Sequence, residues 1–97
     1  MRTRLLTPAQ DEFLEAVAFY EGEARGLGAE FIDEFDHALR LIASNPHLGP
    51  HFEGESRRKL LRRFPFQIIY EIGTDEVLVI AVAHLRKKPG YWRGRQG

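Results

Sequence analysis

The stretch FQIIYEIGTDEVLVIAVAHL, residues 66–85, decides the fold of this 97-residue chain. In Phe66–Ile72 every second side chain is apolar or aromatic, which is the period of a strand with one buried face. Residues 73–76 have the composition of a hairpin turn, and residues 77–85 are almost wholly apolar, as expected of a central strand. The second half of the chain is therefore predicted to form a sheet.

Upstream of the sheet, two stretches have helical rather than strand periodicity. Apolar residues recur every three or four positions in residues 8–24 and in residues 27–42, and Asn45-Pro46 ends the second pattern. Thr7 is expected to cap the first helix, with Pro8 at its first position and Gln10 completing a capping box. Only a few glycine-rich residues separate the two helices, so they are predicted to form an antiparallel hairpin.

The remaining segments complete a single α+β domain over residues 1–97. A short strand at residues 2–6 precedes the helices, a loop is predicted at 47–55 and a basic strand at 57–62. This order predicts a helical hairpin that covers one face of a mainly antiparallel sheet. The opposite face is expected to stay open, with the arginines on it or at the sheet edges. The last residues, 86–97, are expected to form a short helix or a docked tail.

The composition is that of a small globular domain, with 43% hydrophobic and 29% charged residues. Cysteine is absent from the sequence, which excludes a disulfide framework, a thiol nucleophile and thiolate zinc sites. Neither a signal peptide nor an apolar stretch of membrane-spanning length is evident, so a soluble cytoplasmic protein without membrane contact is expected. The sequence contains no cofactor motif, and no cofactor is expected.

The formal net charge of zero hides two oppositely charged halves. Residues 1–55 carry four basic side chains against eleven acidic ones, a net of −7, whereas residues 56–97 carry ten against three, a net of +7. Aromatic residues are interleaved with the cations of the second half. Such a mixture suits single-stranded nucleic acid, and it suits an acidic protein segment equally well. A solvated strand edge is the third interpretation.

Among the histidines, His84 is the one placed for proton transfer, because it ends the last strand beside Arg86. A metal-free ribonuclease needs such a base or acid among cations, and Tyr70 or Tyr91 would be possible acids. A strand-end histidine that bonds to the backbone is the alternative interpretation. The carboxylates of the two helices have the spacing of solvated faces, and no metal site is predicted.

Two segments carry a resemblance to a known family. The sequences RRFPFQIIYE, residues 62–71, and VIAVAHLRKKPGYWR, residues 79–93, resemble the RelE/ParE superfamily of toxins from bacterial type II toxin–antitoxin systems. The order of elements is similar as well. The resemblance implies a small growth inhibitor that is neutralised by a cognate antitoxin, with operator DNA bound only through that antitoxin.

The superfamily contains two activities, and the resemblance leaves both open. RelE-like members are ribosome-dependent mRNA endoribonucleases, and the positions that match their catalytic site are Arg63, His84, Arg86 and Tyr91. ParE-like members inhibit DNA gyrase and need no nuclease residues. The tail with His84, Arg86, Pro89 and Trp92 is more similar to the ParE-like branch, so a gyrase-directed toxin is favoured. A relative that has lost toxicity and only binds its partner is the third hypothesis.

In either case the basic half is the expected surface for the target or the antitoxin. The residues expected to form this surface are Arg57, Lys59, Arg62, Arg63, Arg86, Lys87, Lys88, Tyr91, Trp92 and Arg93.

Overall fold

The computed structural model describes residues 1–95 and has the predicted order of elements. These are β1 (Arg2–Leu5), α1 (Thr7–Glu23), α2 (Leu27–Ser44), a single 3₁₀ turn (Pro46–Leu48), β2 (Arg57–Leu60), β3 (Phe66–Ile72) and β4 (Glu76–His84). The strands form one sheet in the order β1-β4-β3-β2. Strand β1 runs parallel to β4, while the other neighbours are antiparallel. The α+β prediction is confirmed, with a sheet that is mixed rather than purely antiparallel.

The hairpin of β3 and β4 is the centre of the sheet. Phe66 pairs with His84 at one end and Ile72 with Val77 at the other, with one irregularity in register next to Tyr70. Both strands are buried over most of their length and are flanked by β1 and β2. The long apolar run of β4 therefore has the central position that its sequence predicts.

The start of α1 differs from the prediction. Leu6, not Thr7, is the N-cap residue, and no side chain among the described residues caps the helix. The backbone of Leu6 makes the contacts here, since its N–H donates to the Val79 carbonyl at 3.0 Å and its carbonyl accepts from Gln10 N–H at 2.9 Å. The capping-box prediction was wrong because the chain passes directly from β1 into α1, which makes Thr7 the first helical residue.

A carboxylate contact shapes the turn between the helices. Gly26 adopts a left-handed conformation with φ of 87°, which costs glycine little. The carboxylate of Glu21 accepts hydrogen bonds from the N–H groups of Gly26 and Gly28, both at 3.0 Å. A Cβ at Gly28 would lie 2.9 Å from the Val17 carbonyl, so the two helices approach closely here.

Aromatic rings fill the space between the helical hairpin and the sheet. Phe31 and Phe35 of α2 are buried, and the ring centre of Phe35 lies 4.4 Å from that of Phe13 on α1. Phe31 also lies 5.4 Å from Phe66 of β3. The predicted face of α2 is thus confirmed, whereas on α1 the expected apolar residues Leu14 and Ala18 are exposed and Ala9 and Ala16 are buried.

The second face of the sheet is not open, contrary to the prediction. Ile69 and Ala81 are fully buried, although neither belongs to the face that α1 and α2 cover. The tail after β4 folds back as a series of turns, and its Trp92 ring lies 5.6 Å from Phe52. The tail is therefore docked, and it covers apolar surface that would otherwise be exposed. In the part of the chain that the structure describes, no helix is long and apolar enough to cross a membrane.

Candidate partner-binding surface

The cations of β2 lie at the sheet edge, and two of them serve the fold. Arg57 donates to the Gly49 carbonyl at 2.7 Å and contacts His51 Nε2 at 3.1 Å, which ties the preceding loop to the strand. The Arg58 guanidinium lies 4.3 Å above the Phe52 ring. Lys59 lies in a shallow groove on the α2 side. The contacts of Arg57 therefore hold the preceding loop against β2.

Arg62 and Arg63, which follow β2, are bonded to carboxylates of helix α2. The backbone N–H groups of Arg62 and Arg63 both donate to the Glu34 carboxylate, the latter at 3.1 Å. The Arg63 guanidinium also lies 2.7 Å from a carboxylate oxygen of Glu30 and 3.6 Å from one of Glu34. The side chain of Arg62 stays exposed. The charge of Arg63 is therefore largely compensated within the chain.

His84 bonds to the backbone, as its structural interpretation predicts. Its Nδ1 accepts the N–H of Arg86 at 3.0 Å, and its ring packs edge-on against Phe66 at 5.1 Å. An acceptor at Nδ1 assigns the proton of the neutral ring to Nε2. The ring lines a groove to which Tyr91 and Lys87 also contribute.

Tyr91 lines the same groove but is held by α1. Its hydroxyl donates to a carboxylate oxygen of Glu12 at 2.6 Å. Burial, together with this hydrogen bond to a negative charge, raises the pKa of Tyr91 far above its ordinary value of about 10. A phenol whose proton is held this firmly is a poor acid for a leaving oxygen.

The four positions that resemble a RelE-type site therefore do not form one cluster among the described residues. Arg63 is turned toward α2 and lines a different cleft from the one that holds His84 and Tyr91. Arg86 is exposed and takes part in the site only through its backbone N–H. A RelE-type site needs these side chains around one phosphate, and the described residues do not bring Arg63 and the Arg86 side chain to the groove of His84 and Tyr91.

The turn after β4 carries the cations that are available to a partner. Arg86, Lys87 and Lys88 are exposed, and within residues 1–95 none of them forms an ion pair. The Lys87 ammonium lies 5.3 Å from the centre of the Tyr91 ring, so it borders the groove. We call Arg86, Lys87 and Lys88 the cationic turn.

The rest of the tail is less exposed than its sequence indicates. Trp92 is only 4% exposed, so it packs the tail on the sheet and does not offer a free ring to a partner. The Arg93 guanidinium forms an ion pair with Glu53 at 2.6 Å, at a surface position. Of the predicted contact residues in the tail, Trp92 thus has a structural role in this conformation.

Two carboxylates with specific partners were missed by the sequence interpretation, which treated them as solvated. Glu12 binds Tyr91 and Glu34 binds the β2 end, and their side chains are only 18% and 15% exposed. The sequence does indicate that Glu12 lies on the sheet-facing side of α1, because the small residues Ala9 and Ala16 lie three positions before it and four after it. These alanines are buried and mark the face on which α1 meets the sheet.

The described residues contain no group of three His, Asp or Glu side chains placed to hold a metal ion. The site that the structure offers is thus a surface: a cationic turn beside a partly apolar groove whose lining includes Phe19 and Phe66.

A helical hairpin over a four-stranded mixed sheet, with a cationic segment after its last strand, is the architecture that the resemblance to the RelE/ParE superfamily of toxins implies. Residues 4–89 match the family described as the ParE toxin of type II toxin–antitoxin system, parDE. The chain belongs to this family, and membership implies an antitoxin partner.

A solved structure has the same fold. It is that of the chromosomal ParDE TA system from P. aeruginosa, which is similar with a TM-score of 0.72 and 12% sequence identity, over 87% of this chain and 95% of that one. No curated protein matches this chain significantly in sequence.

Proposed function

We propose that this toxin arrests bacterial growth by binding and inhibiting DNA gyrase, and that a cognate antitoxin neutralises it by binding the basic half of the chain. The observation that carries this proposal is that Arg63 lies in a different cleft from His84 and Tyr91. Arg63 is paired with Glu30 on one side, and Tyr91 is bonded to Glu12 on the other. Inhibition by binding needs a surface, whereas RNA cleavage needs an assembled site.

The cationic turn and the groove beside it are the proposed contact surface. Unpaired arginine and lysine side chains next to aromatic residues are suited to acidic protein segments, through ion pairs and cation–π contacts. Arg62 and Lys59 extend the cationic character to the β2 edge. An acidic, partly disordered antitoxin segment that covered this surface would compensate these charges and bury apolar area of a small core.

The proposal assigns no enzymatic activity and no cofactor to the chain. It includes operator DNA only through the antitoxin, as the family resemblance implies. It places the protein in the cytoplasm, where gyrase and the antitoxin are found.

Growth arrest on induction without the antitoxin tests the proposal in cells. We expect arrest by the parent protein and by His84→Gln, because no proton transfer at His84 is involved. Truncation after Lys88 removes the docked tail, and Trp92→Ala removes the ring that packs it on the sheet, so both should relieve the arrest. Gln is chosen at position 84 because its amide is polar and of similar length but transfers no proton.

Three outcomes would decide against the proposal or against one part of it. Loss of arrest in His84→Gln at normal expression, with ribosome-dependent cleavage by the parent, would establish the RelE-like nuclease. Arrest that persists after truncation would remove the tail from the mechanism. Absence of arrest by the parent protein would identify a relative that only binds its partner.

A further inference from the structure

The Glu12 carboxylate has more hydrogen-bond donors around it than an ordinary surface acid has. Oε1 accepts the Val82 N–H at 3.0 Å and Arg95 Nη1 at 2.9 Å. Oε2 accepts the Tyr91 hydroxyl at 2.6 Å and Arg95 Nη2 at 3.1 Å. One side chain of α1 thus joins the helix, strand β4 and the tail.

The position of Glu12 follows from the length of β1. Strand β1 pairs with β4 only as far as Val79, where the Leu6 N–H makes the last backbone contact. Beyond that point the outer edge of β4 has no neighbouring strand among the described residues, and its Val82 N–H needs another acceptor. Helix α1 approaches this edge closely because Ala9 and Ala16 are small, and Glu12 supplies the acceptor.

Apart from the packing of Trp92 against Phe52, the tail has few long-range contacts among the described residues. In the described part of the chain its backbone makes short-range bonds, such as Arg93 N–H to the Gly90 carbonyl at 2.9 Å and Arg95 N–H to the Trp92 carbonyl at 3.1 Å. The ion pair of Arg93 with Glu53 involves an arginine that is 72% exposed, and such surface pairs contribute little. The Arg95 side chain, by contrast, is 20% exposed and bound in bidentate fashion to Glu12.

Arg95 also connects Glu12 to the second face of the sheet. Its Nη1 donates to the Ile80 carbonyl at 3.0 Å, and Ile80 and Trp92 line the same cleft. The contacts of Glu12 and the packing of Trp92 against Phe52 therefore act on the same short segment from its two sides. Loss of the Glu12 contacts should therefore also release Trp92 from Phe52.

We propose that Glu12 is a positioning residue that holds residues 90–95 docked on the sheet, and that it thereby fixes the place of the cationic turn that precedes them. The role goes beyond gyrase binding, because it concerns the conformation of the free chain and holds whichever target the toxin has. Without Glu12 the segment opens locally, while the core formed by α1, α2 and the sheet remains folded.

The test compares Glu12→Gln with Glu15→Gln in the full chain. Glutamine keeps the size and one acceptor oxygen but has no charge for Arg95 and no second acceptor for Tyr91. Glu15 is one turn away on the same helix, is exposed and lines the same groove, so its variant is the matched control. Trp92 is the only tryptophan of the chain, and its fluorescence therefore reports docking of the tail.

In Glu12→Gln we expect red-shifted Trp92 emission, stronger quenching by acrylamide and roughly tenfold faster amide hydrogen exchange in residues 90–95. Exchange at core positions such as Ile69 and Val79 should stay at the parent rate, and Glu15→Gln should behave as the parent. Arg95→Gln, which leaves Glu12 in place, should release the tail as well and serves if Glu12→Gln does not fold.

The proposal is overturned if Trp92 emission and tail exchange are unchanged in Glu12→Gln. It is overturned equally if tail exchange rises only in step with core exchange, since Glu12 would then support global stability alone. A tail that stays protected in Arg95→Gln, or a release of the same size in Glu15→Gln, would also contradict it.

Discussion

The Arg63 guanidinium lies 2.7 Å from a carboxylate oxygen of Glu30, and this pair joins the acidic half of the sequence to the basic half. Similar contacts connect Arg93 to Glu53 and Arg95 to Glu12. The separation of charge along the chain is thus partly cancelled when the chain folds. The cations that remain for a partner lie at the cationic turn and, with Lys59 and Arg62, at the β2 edge.

The first prediction concerns encounter with the antitoxin. We expect an association rate that falls as salt rises, because long-range attraction to the unpaired cations is screened. Replacement of Lys87 and Lys88 by glutamine should lower the rate at low salt and flatten its salt dependence. Stopped-flow mixing with the purified antitoxin measures both effects.

Arg40→Gln is the control for this experiment, because Arg40 is paired with Asp36 on α2. It should leave the salt dependence of the rate unchanged. An association rate of the parent protein that is independent of salt would exclude the cationic turn as the docking surface.

The second prediction concerns the core between the helices and the sheet. Phe35→Ala removes a ring that is 4% exposed, and its loss should reduce the free energy of unfolding by about 3 to 5 kcal/mol. Phe19 is 59% exposed, so Phe19→Ala should change it far less. Urea unfolding measures both variants, and equal stability of the two would show that α2 packs differently.

The third prediction concerns two glycines in different surroundings. A Cβ at Gly49 would lie 2.8 Å from the buried Tyr70 hydroxyl, which also accepts the Gly49 N–H at 3.0 Å. Gly49→Ala should therefore destabilise the fold by about 1 to 3 kcal/mol. Gly22 lies in α1, where an added Cβ would meet no atom within 4 Å, so Gly22→Ala should stabilise by about 0.5 to 1 kcal/mol. Thermal unfolding with the same sign for both variants would contradict this.

The fourth prediction concerns the pH dependence of the contact between β1 and β4. Hydrogen bonds from Arg4 hold the pKa of Glu76 below its usual range. Because the folded-state pKa is the lower one, the pair stabilises the fold above the ordinary carboxyl pKa of about 4.3. This contribution is lost as pH falls through the pKa of folded Glu76.

Urea unfolding of the parent and of Glu76→Gln between pH 7 and 3 measures this effect. The difference in stability should be largest at neutral pH and shrink toward acid. Asp75→Asn alters the charge of the same turn without touching Arg4 and is the control. A difference that grows on acidification would show that the sign is wrong.

The fold was largely predictable from local patterns. Strand and helix periods are set by burial of one face, so β3, β4 and α2 could be placed from their apolar residues. The cap of α1 could not be predicted, because a backbone hydrogen bond to Val79 positions Leu6. Val79 is distant in sequence and lies in β4, which pairs in parallel with β1. Such long-range contacts leave no local signal.

The candidate site was less predictable than the fold. The cations could be found from composition, but their partners could not, because Glu12 and Glu34 have the spacing of solvated residues. Trp92 was interpreted as an exposed anchor, since nothing in its neighbourhood indicates that Phe52 lies against it. Which charges remain free depends on tertiary contacts, and composition does not reveal these contacts.

Inhibition of gyrase is best tested by DNA supercoiling with the purified enzyme in the presence of this protein. We expect supercoiling to be lost with the protein and restored by the antitoxin, while translated messages on ribosomes stay intact in a parallel assay. Unchanged supercoiling, together with ribosome-dependent cleavage of the message, would contradict gyrase as the target.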